Sequence, residues 1–228
     1  QFRSLRTNLQ YLLPGINETT ILITSSMSGE GKSFLSINLA SVIALAGKKV
    51  ILLELDLRKP KITENLGLEK KGFSNYSISN QAEWKSWVQP SGVHEGFDVL
   101  SSGPLPPNPT ELLLLDTTAN LFKELKRHYD YIIIDTPPVG IVTDAEIISG
   151  YADATLYVVR DEVTYKHQVD LIEKLRIKGS LPKLNIIVND SKYKKGNYGY
   201  GYGYGYGYGY GYGVYGNELS KKTFKRKS

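Results

Sequence analysis

The chain has 228 residues, a formal net charge of +5 and no cysteine. Without cysteine it has no disulfide, thiolate zinc site or cysteine nucleophile, and no apolar run approaches the ~18 residues of a membrane helix. The net charge is no argument for nucleic-acid binding, because basic residues are concentrated near the C-terminus at Lys221, Lys222, Lys225, Arg226 and Lys227.

We expect two regions in this chain. Residues 1–191 are long enough for one α/β domain, and residues 192–228 form a tail of different composition. The chain opens on Gln1 rather than methionine and has no signal peptide, so we expect a soluble fragment or a processed form of a longer protein. The first 14 residues predict an amphipathic helix that ends at Pro14-Gly15, with Arg3 and Arg6 close together beside an apolar stripe.

A glycine-rich loop gives the strongest chemical signal. It extends from Ser25 to Ser33, after the β-branched run Thr20–Thr24 and before a helix predicted over Phe34–Ala46. In such a loop, glycines let backbone amides surround a phosphate, and the lysine and serine contact the outer phosphates and Mg²⁺. The consensus begins with glycine, where this chain has Ser26. The predicted nucleotide-binding residues are Ser28, Gly29, Glu30, Gly31, Lys32, Ser33 and Phe34.

Charged residues lie at the end of the second predicted strand, Lys49–Leu55. Because side chains i and i+2 share one face of a strand, we expect Glu54, Asp56 and Arg58 on one side, at the carboxyl end where open α/β sheets bind ligands. Two carboxylates beside a triphosphate suit a Mg²⁺ ligand and a proton acceptor. A solvated strand end is the alternative.

A third signature is the apolar strand Tyr131–Asp135, which ends in one carboxylate. This is the Walker B pattern, whose aspartate holds Mg²⁺ directly or through water. Further strands are predicted at Ala154–Val159 and Leu184–Val188, with a helix over Thr164–Lys178 between them. The alternation predicts a P-loop NTPase-like parallel sheet with helices on both faces. Asn189, after the last strand, is either a contact to the nucleotide base or an ordinary turn residue.

Tyrosine alternates with glycine in the tail, which predicts a flexible and accessible segment because glycine loses much entropy on ordering. Three interpretations are a low-complexity adhesive segment, a tail that stacks on nucleic acid, and a set of phosphate acceptors held near an ATP site. The neighbouring phosphate loop favours the third. The predicted acceptors are Tyr198, Tyr200, Tyr202, Tyr204, Tyr206, Tyr208, Tyr210, Tyr212 and Tyr215.

Together these residues resemble the bacterial tyrosine kinases, or BY-kinases, of capsule and exopolysaccharide export. The resemblance covers nearly the whole chain. Its motifs are the Walker A residues 28–33, the Walker A′ residues 55–58, the basic cluster 58–61, the Gly-Pro-Leu-Pro-Pro-Asn-Pro-Thr-Glu-Leu-Leu loop 103–113, the Walker B residues 133–138 and the tyrosine cluster. It implies transfer of phosphate from ATP to protein tyrosines, including those of the tail.

The resemblance also implies roles for the charged residues. Lys32 would hold the phosphates, and Mg²⁺ would be organised by Ser33, Asp56 and Asp135. Glu54, or as second choice Asp56, would accept the phenolic proton, while Arg58 and Lys61 would screen the transferred charge or contact a neighbouring subunit. The family usually has aspartate at position 54, so the additional methylene of Glu54 predicts retained function with a shifted geometry.

Further expectations concern assembly and partners. Arg3 and Arg6 match the arginines of a Glu-x-x-Arg-x-x-Arg motif that assembles a ring of subunits in this family, whose glutamate would precede Gln1. The resemblance implies phosphorylation in trans within a ring-like homo-oligomer, at the cytoplasmic side of the bacterial inner membrane. The implied partners are a transmembrane polysaccharide co-polymerase segment, fused or separate, protein tyrosine substrates and a phosphatase, but no nucleic acid.

The main alternative is a partitioning or division-site ATPase of the same fold, which acts as a nucleotide-switched dimer. Those proteins have an additional lysine in the phosphate loop, where this chain has Met27. This alternative also does not explain the tyrosine tail. A catalytically inactive scaffold would lack the loop or the Walker B carboxylate, and both are present.

Overall fold

Runs of β-branched and aliphatic residues form a seven-stranded sheet. This computed structural model describes residues 1–15, 18–79 and 83–192. In chain order the strands β1 to β7 are Thr19–Ser25, Val50–Glu54, Gln89–Pro90, Phe97–Leu100, Tyr131–Asp135, Ala154–Arg160 and Leu184–Asn189. Their order across the sheet is β3-β4-β2-β5-β1-β6-β7, and every neighbouring pair is parallel except β3–β4.

Helices occupy most of the connections between the strands. In chain order the described helices α1 to α8 are Phe2–Leu12, Lys32–Ala44, Ile62–Asn65, Phe73–Ile78, Pro109–Leu113, Asp116–His128, Asp144–Ile148 and Lys166–Lys178. Two short 3₁₀ turns lie at Trp84–Trp87 and Ser149–Tyr151. Within the described part of the chain, no helix has both the length and the apolar character needed to cross a membrane.

Apolar side chains alternate between the two faces of the sheet, so a hydrophobic core lies on each side. In β1, Ile21 and Ile23 belong to the same core as Leu39 of α2, whereas Leu22 belongs to the core that contains Phe122 of α6. Strands buried on both faces have continuous apolar sequences, which explains the runs seen in β1, β2 and β5. The predicted fold class, a P-loop NTPase-like parallel sheet with helices on both faces, is confirmed.

Two predicted details are wrong. The helix after the phosphate loop begins at Lys32 rather than Phe34, because the left-handed residue Gly31 directly precedes its first turn. The sheet also has one antiparallel edge, since β3 pairs with β4 through Gln89 and Pro90. The tail tyrosines lie outside the described residues, so the flexibility of the tail stays a prediction, as does the boundary at residues 191 and 192.

The carboxyl ends of the parallel strands meet at one edge of the sheet. Glu54 at the end of β2 pairs with Asp135 at the end of β5, and Arg160 of β6 pairs with Asn189 of β7. The phosphate loop follows β1 in the middle of this row, between the ends of β5 and β6. The predicted site residues of three separate motifs therefore converge on one edge, as expected for an open α/β sheet.

Candidate functional site

The loop between β1 and α2 has the backbone geometry of a phosphate-binding loop. Gly29 and Gly31 have φ angles of 88° and 96°, which residues with a side chain rarely adopt. A Cβ atom on Gly31 would lie 2.1 Å from Nδ2 of Asn189, so a side chain there would displace the Asn189 amide in addition to straining the backbone. Because α2 starts directly after Gly31, the positive end of its dipole lies at the loop.

The ends of β6 and β7 hold this loop in place. Nδ2 of Asn189 donates a hydrogen bond of 3.0 Å to the carbonyl of Glu30. Nη1 of Arg160 donates a hydrogen bond of 3.0 Å to the carbonyl of Gly29, and the guanidinium is paired with Asp190. Asn189 therefore contacts the backbone of the loop. This role differs from both predicted roles, a contact to the nucleotide base and an ordinary turn residue.

The side chain of Glu30 supports the loop from within the protein. Its carboxylate is fully buried, and Oε2 accepts a hydrogen bond of 2.8 Å from the amide of Met27. Oε1 accepts a further hydrogen bond from the hydroxyl of Thr164. The carboxylate thus shapes the loop rather than facing a ligand, so the predicted nucleotide contact of Glu30 would be made by its backbone amide.

Ser33 and Asp135 are brought together, as the two Walker motifs predicted. Oγ of Ser33 donates a hydrogen bond of 2.7 Å to Oδ2 of Asp135, and Oγ of Ser36 donates one of 3.0 Å to Oδ1. Lys32 is buried beside them. Hydroxyl and carboxylate oxygens are the ligands that Mg²⁺ prefers, so the Ser33–Asp135 pair fits the predicted metal. Sequence reasoning missed Ser36, although it lies one helical turn after Ser33 and therefore on the same face of α2.

The environment of Asp135 favours its protonated form. Burial raises the pKa of Asp135 to about 7, and the nearby carboxylate of Asp56 adds to the rise. The hydroxyls of Ser33 and Ser36 and the ammonium of Lys32 act in the opposite direction. A buried carboxyl whose neighbours are hydroxyls and one cation is suited to receive a divalent cation, because the cation replaces the proton.

Asp56 lies in a cleft of about 260 Å³ next to the phosphate loop. Its Oδ1 accepts hydrogen bonds from the amides of Arg58 and Lys59, over 3.3 and 3.0 Å. The cleft is lined by Ser28, Gly29, Gly31, Lys32, Ser33, Phe34, Asp56, Lys59, Lys61 and Asn65. The structure therefore brings Asp56 to the loop, together with two lysines of the basic cluster.

Glu54 does not line this cleft. Its carboxylate is fully buried, with Oε1 accepting hydrogen bonds of 2.5 and 3.3 Å from the amides of Ile62 and Thr63. Oε2 accepts hydrogen bonds of 2.5 Å from the hydroxyl of Thr63 and 3.1 Å from the amide of Ser102. These bonds tie the end of β2 to the start of α3 and to the segment after β4. The prediction that Glu54 is the first choice as proton acceptor therefore disagrees with the geometry, because both of its carboxylate oxygens already accept hydrogen bonds away from the cleft.

Arg58 is held by an aspartate that sequence reasoning treated only as a helix start. Nε and Nη2 of Arg58 donate to the two carboxylate oxygens of Asp144 over 3.0 and 3.2 Å, and Asp144 is fully buried. Oγ1 of Thr110 also donates to Asp144, over 2.9 Å, and accepts from Nη2 of Arg58. The ion pair raises the pKa of Arg58. This arrangement joins the end of β2 to α5 and α7, so Arg58 faces Asp144 rather than the phosphate loop.

The two predicted oligomer contacts on α1 have different environments. Arg3 is exposed, whereas Nη1 of Arg6 donates a hydrogen bond of 2.8 Å to the carbonyl of Val42 in α2. Phe2 makes an edge contact with Phe34, with ring centroids 5.8 Å apart. Helix α1 thus packs against the helix that follows the phosphate loop, and Arg6 contributes to that packing.

Comparisons with known proteins agree with this site. A sequence model of the family described as "AAA domain" matches residues 18–168. The chain is 37% identical to tyrosine-protein kinase YwqD of Bacillus subtilis, over 87% of this chain and 85% of that protein. It is 35% identical to the putative tyrosine-protein kinase CapB of Staphylococcus aureus, over 86% of each. The kinase domain of the Escherichia coli tyrosine kinase ETK superposes with a TM-score of 0.76 and 32% identity, covering 89% of this chain and 80% of that one.

Two further findings concern the length of other relatives and the wider distribution of the fold. Other relatives named as tyrosine-protein kinases are longer, and the chain covers between 21% and 27% of their length. The septum site-determining protein MinD of Pyrococcus horikoshii has a TM-score of 0.60 at 20% identity, covering 75% of this chain and 70% of that one. That likeness concerns the fold alone.

Proposed function

We propose that this chain, which belongs to the family of bacterial tyrosine-protein kinases, phosphorylates the tyrosines of its own C-terminal tail. The observation that supports this most is that Lys32, Ser33 and Asp56 line one cleft at the phosphate loop, where Ser33 is hydrogen-bonded to Asp135. The tail supplies nine tyrosines, between Tyr198 and Tyr215, in the same chain.

ATP would bind with its phosphates at the loop. The amides of residues 28–33 and the ammonium of Lys32 would hold the β- and γ-phosphates, with the start of α2 adding its dipole. Phe34, which is 57% exposed, stands at the rim of the cleft. Glu30 and Asn189 would keep the loop open for the phosphates through the hydrogen bonds described above.

Ser33 and Asp135 would hold Mg²⁺. When bound with the nucleotide, this ion neutralises the charge that develops on the transferred phosphoryl group. Ser36 keeps the Asp135 carboxylate oriented toward the loop. Of the three predicted ligands we assign Asp56 to the proton instead. The amides of Arg58 and Lys59 bind its Oδ1, so the proton would pass to Oδ2.

Asp56 replaces Glu54 as the proton acceptor in this proposal. The phenolic oxygen forms a bond to the γ-phosphorus, the bond to the β–γ bridging oxygen breaks, and the phenolic proton passes to Asp56. A phenol with a pKa near 10 is only ~0.1% ionised at pH 7, and a positioned base is typically worth 10²–10⁴-fold in rate. Lys59 and Lys61 line the same cleft and would screen the charge, while Arg58 fixes the segment that carries them.

The finer assignments concern assembly and biological role. We propose transfer in trans within a ring-like homo-oligomer, with Arg3 at the subunit contact, activated by a transmembrane polysaccharide co-polymerase segment at the cytoplasmic face of the bacterial inner membrane. Other protein tyrosines would be further substrates, and a phosphatase would reverse the reaction. The role would be control of capsular or extracellular polysaccharide synthesis and export. Each phosphate adds about −1.5 to −2 charges, which would reverse the charge of the tail and loosen the oligomer.

The partitioning or division-site ATPase is the second candidate, and the shared fold is its support. Met27 stands where those proteins have an additional lysine, and the tyrosine tail has no role in a nucleotide-switched dimer. Steady release of ADP without tyrosine modification would favour it.

The direct test is the intact mass of the chain after incubation with Mg·ATP, beside a Lys32→Met control. Autophosphorylation predicts a ladder of added phosphates that maps to Tyr198–Tyr215 and is absent from the control. A single unmodified mass, with ADP released by the unaltered chain alone, would contradict the kinase assignment.

A further inference from the structure

A groove lies beside the cleft, on the other side of the segment that links β2 to α3. Its volume is about 640 Å³, and its lining includes Pro60, Thr63, Leu68, Gly103, Pro104 and Leu105. The lining is predominantly apolar, with the proline rings and the two leucines forming its walls. Leu105 is 63% exposed, so the mouth of the groove is open to solvent.

Hydrogen bonds hold both walls of this groove in place. On one wall, Oγ of Ser74 donates a hydrogen bond of 2.7 Å to the carbonyl of Pro104. Gly103 has a φ of 76°, and a Cβ atom there would lie 2.5 Å from the same Oγ, so this turn depends on glycine. On the other wall, Thr63 is bound to the buried carboxylate of Glu54. A preformed pocket binds a ring with little ordering cost.

The groove and the cleft at the phosphate loop are lined by alternate residues of one segment. Lys59, Lys61 and Asn65 line the cleft, whereas Pro60 and Glu64 line the groove. The two sites are thus opposite sides of one short segment, residues 59–65. A peptide with one residue at the phosphates needs to cross only this segment to place a neighbouring residue in the groove.

The composition of the tail matches this arrangement. Residues 193–228 lie outside the described part, and from Tyr198 tyrosine occupies every second position up to Tyr212. In an extended chain, residues i and i+2 lie on one side about 6.6 Å apart. A tyrosine ring has apolar faces that can pack against the prolines and leucines of the groove.

We infer that the groove is a specificity subsite for acceptor segments, in which it holds the ring of a tyrosine next to the one being phosphorylated. The occupant is a Tyr-Gly stretch of this chain's tail. This inference rests on the proposed kinase function and adds a reason for the alternation of the tail, because each of the eight tyrosines from Tyr198 to Tyr212 has a ring neighbour at i−2 or i+2 to place in the groove.

The test uses two synthetic peptides and the full chain. Both peptides have one central tyrosine and alternating glycines; the first has phenylalanine at the flanking positions ±2 and ±4, and the second has alanine there. We expect kcat/KM for the phenylalanine peptide to be higher by roughly tenfold, mainly through KM, as for an apolar pocket that gains a side chain. Competition by the tail affects both peptides equally, so it cancels in the ratio.

Leu105→Asp is the matching variant, because it places a charge at the mouth of the groove on an exposed residue. It should abolish the preference for phenylalanine and leave KM for ATP unchanged. Ile177→Asp is the control, since Ile177 is 73% exposed on α8 and does not line the groove. That control should keep the full preference.

The other outcomes contradict the subsite, the kinase function or the choice of the tail as occupant. Equal kcat/KM for the two peptides, or a preference that survives Leu105→Asp, contradicts the subsite while the kinase stands. No phosphorylation of either peptide, with the tail also unmodified, contradicts the proposed function itself. A change of oligomer size in Leu105→Asp by analytical ultracentrifugation, with the preference for phenylalanine intact, would make a second copy of the chain the occupant.

Discussion

The ends of β2 and β5 are adjacent in the sheet, and they present two buried carboxylates in paired positions, Glu54 and Asp135. The sequence gives both the same appearance, an acidic residue after an apolar strand. Their partners differ. Three of the four hydrogen bonds to Glu54 come from backbone N–H groups, whereas both hydrogen bonds to Asp135 come from serine hydroxyls.

This difference decides what each carboxylate can do. An N–H group only donates, so the neighbours of Glu54 demand an acceptor there at all times. A hydroxyl can donate or accept, so Asp135 can exchange its partners for a proton or a cation without leaving an unpaired group. Glu54 therefore has a structural role in joining α3 to the sheet, and Asp135 is available for the reaction.

Of the substitutions that test this difference, replacement of Asp135 should have the largest effect, which is on the rate of phosphorylation. Asp135→Asn should slow tyrosine phosphorylation by roughly 10³-fold, because it removes a charge that the transition state needs. The variant should still fold, since Ser33 and Ser36 can accept hydrogen bonds from the amide. Phosphotyrosine formation over time and circular dichroism are the measurements.

Asp130→Asn is the matched control. Asp130 lies just before β5, at the opposite end of the strand, and Oδ2 accepts a hydrogen bond of 2.8 Å from the amide of Lys49, which an asparagine oxygen can replace. Because the substitution keeps this hydrogen bond and lies at the other end of the strand, it should change activity less than twofold. Full activity in Asp135→Asn would remove Asp135 from the reaction.

The second expected effect concerns stability and pH in the absence of nucleotide and metal. The pKa of Asp135 is raised to about 7 in the folded protein, above ~3.9 in the unfolded chain. The folded state therefore binds the proton more tightly, and the stability due to protonation is complete below pH ~4 and lost as pH rises through 7. At pH 8, the free energy of unfolding of Asp135→Asn should exceed that of the unaltered chain by roughly 2–4 kcal/mol, so the variant should unfold at a higher urea concentration. This gain should vanish near pH 4.

Urea unfolding at several pH values checks this prediction. A gain in stability that is the same at pH 4 and pH 8 would show that its origin is not the titration of Asp135. Lower stability of Asp135→Asn at pH 8 would also contradict the expectation that the hydroxyls of Ser33 and Ser36 accept hydrogen bonds from the asparagine amide.

The smallest expected effect concerns one hydroxyl. Ser36→Ala removes one of the two donors to Asp135 and should weaken Mg·ATP binding by roughly three- to tenfold, the worth of one such hydrogen bond. Ser41→Ala is the control, because Ser41 also lies on α2 but its hydroxyl only bonds the carbonyl of Ile37. Titration with a fluorescent ATP analogue measures both, and equal affinities would contradict a role for Ser36.

The sequence predicted the fold and the centre of the site because those depend on local patterns. Apolar strands that end in Asp135 and in Glu54 and Asp56, and the glycines at residues 29 and 31, have the spacing that a phosphate loop and its metal require. The positions of Ser33, Asp56 and Asp135 follow from the rule that parallel strands end at one edge.

Contacts between distant segments were not predictable in the same way. Asp144 lies 86 residues from its partner Arg58, and Thr164 lies 134 residues from Glu30. Nothing in the local sequence indicates that the Glu54 side chain reaches the amides of Ile62 and Ser102 rather than the cleft. That outcome depends on how α3 and the segment after β4 pack against the end of β2.

In the proposed mechanism, Asp56 accepts the proton while Glu54 supports the fold. Single-turnover phosphorylation and urea unfolding of Asp56→Asn and Glu54→Gln test it most directly. We predict that Asp56→Asn slows the chemical step by 10²–10⁴-fold at unchanged stability. Glu54→Gln should lower the free energy of unfolding by roughly 2–4 kcal/mol, since an amide would face N–H donors, and keep the rate of the folded protein within about tenfold. A Glu54→Gln protein that is fully stable but loses the chemical step, beside an active Asp56→Asn protein, would contradict the account.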